Sequence, residues 1–129
     1  MHIPAAPELQ DAAQKVAMEV GSWNGVVSKG RRSAWRIGHE QEIDGVGFYV
    51  GDIEFGHIHL NSAAHIMLPP PVADSLAAAK VVRGSSWAHG QVEMAIRNQE
   101  DIGRAVMFFR LSYEVLSSGG GKDQGQQQG

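Results

Sequence analysis

Between residues 24 and 68 the apolar side chains recur every second residue, and the links between the alternating segments are too short to hold a helix. Val46, Phe48 and Val50 share one face, with Tyr49 on the other. Asn24-Gly25, Asp44-Gly45 and Gly51-Asp52 are turn dipeptides that punctuate the stretch. Consecutive strands joined this tightly run antiparallel, because a parallel return needs a crossover of a dozen or more residues. The alternation predicts strands opening at Val26 and Val27, then at 33–37, 46–50, 53–60 and 63–68. Together they make a meander.

Pro69-Pro70-Pro71 ends the sheet, since proline cannot donate to a ladder. An alanine-rich helix is expected at about 72–80, then a loop through Gly84-Ser85-Ser86. A last strand follows over 91–97, with Val92, Met94 and Ile96 on one face. Asn98 is an N-cap for a final helix that carries Glu100 and Asp101 in its first turn. That helix has a main apolar stripe at Ile102, Ala105, Val106, Phe109, Tyr113 and Leu116, and a second line at Phe108, Leu111 and Val115. The second line packs on the first helix or forms a docking face, so a monomer and a homodimer both stay open. The first helix opens at Pro7, carries Leu9, Ala13, Val16 and Val20 on one stripe, and is capped by Gly21. The fold class is therefore α+β, one domain with an antiparallel sheet covered by helices at its start, middle and end.

The chain's 129 residues suit one domain, placed at 1–116. Residues 117–129 hold no apolar side chain and are expected to be a disordered tail rich in Gly, Gln and Ser. Eleven Lys and Arg stand against 14 Asp and Glu, so no nucleic-acid partner is expected. Without cysteine there is no disulfide, thiolate metal site or thiol nucleophile. No apolar run approaches the ~20 residues of a membrane span, and no basic-then-apolar leader opens the chain. A cytoplasmic location without membrane association is the expectation.

Chemistry concentrates in Glu54-Phe55-Gly56-His57-Ile58-His59. In a strand His57 and His59 project from one face, about 6.8 Å apart. Two imidazoles so placed can share a metal, a phosphate or a carboxylate, and they are the first candidates for metal ligands. Hydrogen bonds to Glu54 or Tyr49 are the alternative use of the pair. His65 is the nearest third group. A two-residue Asn61-Ser62 loop puts it on the opposite face; a three- or five-residue loop brings it across from His59. His89 and Trp87 precede the last strand and can line a pocket, and Ser85 and Ser86 lie near His89. His39 reads as a surface residue and His2 as part of a terminus. Gly51 with His57 and His59 matches the start of a cupin motif, but the glutamate that motif needs next is absent: Ser62 and Ala63 stand there.

The stretch from about 52 to 116 resembles a bacterial and fungal family labelled luciferase domain, some members of which carry phospholipase names. The resemblance rests on Glu54-Phe55-Gly56-His57-Ile58-His59, Leu68-Pro69-Pro70, Trp87-Ala88-His89 and Phe109-Arg110-Leu111-Ser112-Tyr113-Glu114. It implies neither a catalytic residue set nor light emission. The expected function is a small-ligand-binding domain, with ligand candidates Glu54, His57, His59, His65, Trp87 and His89. An enzyme using the histidines, with or without a metal, and an interaction domain docking through the last helix are the alternatives. No cofactor is assigned from the residues.

Overall fold

The computed structural model describes residues 5–32, 38, 42–84 and 90–120. Among them are three helices and six strands in one antiparallel sheet, which is the expected α+β architecture. Strands β1 (Val26–Arg32), β2 (Ile43–Val50), β3 (Ile53–His59) and β4 (Ala63–Met67) form the meander in chain order. After helix α2 (Pro70–Ala78) and a two-residue strand β5 (Arg83–Gly84), β6 (Gln91–Ala95) pairs between β4 and β5. Helices α1 (Asp11–Gly21) and α3 (Gln99–Val115) cover one face of the sheet. No described helix is long and apolar enough to cross a membrane. The strand expected at 33–37 lies outside the described residues.

Two boundaries differ from the sequence expectation for local reasons. Helix α1 starts at Asp11 rather than Pro7, because the Gln14 side chain accepts the Leu9 N–H at 2.8 Å and holds that segment as an extended entry. Helix α2 starts at Pro70, where the consecutive prolines lack N–H groups that a first turn leaves unpaired anyway. The Asn98 cap forms as expected: its side chain accepts the Asp101 N–H at 3.0 Å, and Asp101 in turn accepts the Arg97 N–H at 2.9 Å. Leu116–Gly120 continue α3 as a π turn, and the rest of the expected tail, 121–129, lies outside the described residues.

The core lies between the sheet and the two long helices. Phe48, Phe55 and Phe109 meet at ring-centre distances of 5.3–6.4 Å. Ile58, Ala64, Ile66, Val92 and Met94 fill the same layer. Phe108 belongs to this core at 2% exposure, so it is no part of a docking face; Leu111 and Val115 from the same line stay exposed.

Two irregularities decide what the other face carries. In the β2–β3 pair Phe48 stands opposite Gly56 while Tyr49 stands opposite Glu54. Phe55 is therefore an extra residue, a β-bulge. The bulge points both Phe55 and Gly56 at the helices, and it puts Glu54 on the same face as His57. The second irregularity is the β3–β4 loop, which has three residues. The Ser62 N–H bonds to the His59 carbonyl at 2.9 Å, and Ser62 takes a left-handed φ of 73°. His65 consequently pairs with His57 and shares its face.

Candidate functional site

The face of the sheet turned away from α1 and α3 carries a lateral row running Lys29, Gly47, His57, His65, Glu93 across five strands. His59 projects beside the row from β3. The three imidazoles form a nearly equilateral triangle, with ring centres 4.9 Å apart for His57–His59, 5.0 Å for His57–His65 and 4.9 Å for His59–His65. Each offers a ring nitrogen within 4.8 Å of the other two. His57 is buried at the centre; His59 and His65 are half-buried. The expectation that His57 and His59 share a face holds. His65 joins them from across His57 rather than across His59.

Each Nδ1 has its own oxygen partner. His57 Nδ1 is 2.5 Å from Glu54 Oε2, His59 Nδ1 is 2.8 Å from Asp44 Oδ2, and His65 Nδ1 is 3.1 Å from Gln91 Oε1. A carboxylate only accepts, so the first two rings carry their proton on Nδ1. The Gln91 amide is oriented by its own donation to Met67 Sδ at 3.3 Å, which leaves its oxygen for His65. The three oxygens fix tautomer and ring orientation, and each leaves Nε2 as the nitrogen with a free lone pair.

Burial holds His57 below the ordinary histidine value, outweighing the Glu54 hydrogen bond; the charges of Arg31 and His59 act with burial. The ring is neutral at pH 7. Burial opposes ionisation of Glu54, but the hydrogen bond and charge of His57, with Arg31 Nε 3.5 Å away, hold its carboxyl below the ordinary glutamate value. Tyr49 completes the cluster. Its ring lies over Gly47, where a Cβ would fall 2.8 Å from Tyr49 Cε1, and its hydroxyl feels the Glu54 carboxylate. Glycine at 47 is what lets a tyrosine two residues along the strand fold back beside the triad.

Of the residues expected from sequence, Glu54, His57, His59 and His65 are brought together. His89, Trp87, Ser85, Ser86, His39 and His2 lie outside the described residues. Sequence reasoning missed Asp44, Gln91, Glu93 and Arg31 as site residues. Asp44 reads as half of a turn dipeptide, and Gln91 and Glu93 read as the solvent side of an alternating strand. Only the pairing register brings them to the histidines.

Residues 52–112 match the family model described as Luciferase domain, over nearly the span on which the resemblance was read. No curated protein and no solved structure matches the chain.

Proposed function

We propose that the domain binds a divalent transition-metal ion through Nε2 of His57, His59 and His65, and holds a small ligand at the ion's remaining positions. One observation carries this reading: three imidazoles converge with every Nδ1 already engaged. An imidazole bound through one nitrogen places its ring centre about 3.2 Å from the ion, and three such rings at tetrahedral angles have centres about 5.2 Å apart. The observed separations of 4.9–5.0 Å are close to that, and a turn of the near-parallel His57 and His65 rings, whose planes differ by 13°, would aim both Nε2 atoms at one ion. Ligating histidines characteristically donate their other N–H to a carboxylate or carbonyl, which raises their basicity. Glu54, Asp44 and Gln91 stand in those positions. Histidine ligates only as the neutral ring, and the lowered value of His57 supplies that form without a pH penalty.

Three imidazoles with no thiolate suit zinc, cobalt, iron, nickel or copper in the divalent state. Three protein ligands leave a coordination position open, which is the arrangement of a binding or reactive centre rather than a closed structural one.

The test uses tag-free protein and metal analysis, followed by calorimetric titration of the metal-free form with Zn2+ and Co2+. One equivalent bound at micromolar affinity or better is expected, with a loss of at least tenfold in His59→Gln and in His65→Gln. Folded protein that binds neither ion at one equivalent overturns the proposal.

A further inference from the structure

Glu54, Asp44 and Gln91 lie behind the triad, on the Nδ1 side. Glu93 is placed differently. It stands directly opposite His65 on β6, and its Oε2 is 4.0 Å from His65 Nε2, the nitrogen that Gln91 leaves free. Gln91 and Glu93, two residues apart on one strand, therefore flank the same ring on its two sides. We infer that Glu93 is a fourth protein ligand, so that the centre is three imidazoles and one carboxylate. This rests on the metal reading above.

Glu93 would close on the ion from beside His65. Imidazole nitrogen and carboxylate oxygen bound to one ion lie about 3.0 Å apart at adjacent octahedral positions, the geometry in which four protein ligands still leave positions for a small ligand. Closing from 4.0 Å is within the reach of side-chain rotation, and the Glu93 side chain, at 33% exposure, has room to turn. The carboxylate also changes the chemistry of the site. It adds a hard, anionic donor to three borderline ones, which favours Mn2+ and Fe2+ more than three imidazoles alone do. It cancels one of the ion's two charges, and the charge that remains suits a small anionic oxygen ligand.

A crystal structure of the protein loaded with Mn2+ or Zn2+, phased on the metal's anomalous signal, separates the outcomes. Three His Nε2 atoms and one Glu93 oxygen, all at bonding distance of about 2.0–2.2 Å, are expected. An ion held by the three histidines with Glu93 reaching it only through water overturns this inference and leaves the metal reading standing. No ion on the triad overturns both. In solution, Glu93→Gln is expected to weaken Co2+ binding at least tenfold and to change the visible absorption of the bound cobalt, while the far-ultraviolet dichroism stays that of the wild type. Affinity within twofold of wild type with an unchanged cobalt spectrum overturns the inference.

Discussion

Gly56 is a glycine because the Phe109 ring occupies the place of its side chain. A Cβ there would fall 2.5 Å from Phe109 Cε1 and 3.0 Å from the His65 carbonyl oxygen. Neither neighbour yields easily, one being a fully buried ring and the other backbone of β4. Gly56→Ala is therefore expected to destabilise the domain by about 1–3 kcal/mol in urea unfolding, and an unchanged midpoint would contradict the packing. Tyr49 gives a prediction in pH. Burial, followed by the Glu54 carboxylate, holds its phenol above the ordinary value against the opposing charge of Arg31. A folded-state value above the unfolded one means that the folded protein keeps its proton where the unfolded chain has lost it. That contribution is whole below about pH 10 and is lost as the pH rises through the folded value. Unfolding free energies between about pH 9 and pH 11 should fall for the wild type and fall less for Tyr49→Phe. Equal alkaline losses in the two proteins would rule the assignment out.

At the scale of elements the β3–β4 loop matters most. Ser62 sits in it at φ 73°, with its Oγ buried and unpartnered among the described atoms. Glycine tolerates that backbone and has no hydroxyl to leave unsatisfied, so Ser62→Gly should raise stability by about 1 kcal/mol. A fall measured by urea unfolding would show that Ser62 holds the turn by a contact of its own. The loop also explains what could be read in advance. The antiparallel meander, the Asn98 cap and the core face of β6 follow from alternation and spacing, because each is settled by residues close together in the chain. The position of His65 stays open in the sequence, since the segment around Asn61-Ser62 fits loops of two, three or five residues. The bulge at Phe55 left no mark, because strict alternation places Phe55 with His57 and His59 and Glu54 on the opposite face. Asp44, Gln91 and Glu93 were invisible for a different reason: their role depends on which strands pair, and in what register.

For the molecule as a whole, the groups of the centre come from β2, β3, β4 and β6 and meet only when the sheet is formed. In the unfolded chain just His57 and His59 remain near each other. An ion therefore binds the folded state preferentially, and at a free concentration of 100 times Kd it adds about 2.7 kcal/mol of stability. For a domain of this size that is a rise in Tm of about 10 °C. Calorimetric scans with and without Zn2+, and again after chelator, should show the rise and its reversal; coincident transitions would mean that no folded-state site is filled.

The extra residue at Phe55 sets the phase of everything after it. Ahead of the bulge, even positions of β3 face the site; beyond it, odd positions do. The same residues paired in strict alternation from Glu54, without the bulge, would run in the other phase from Gly56 onward, sending His57 and His59 in among Phe48 and Phe109 and turning Ile58 outward. A triad of imidazoles and a hydrocarbon interior thus differ here by a single count along one strand. Length changes in β3 should accordingly be far less tolerated than substitutions at its exposed first residue, Ile53.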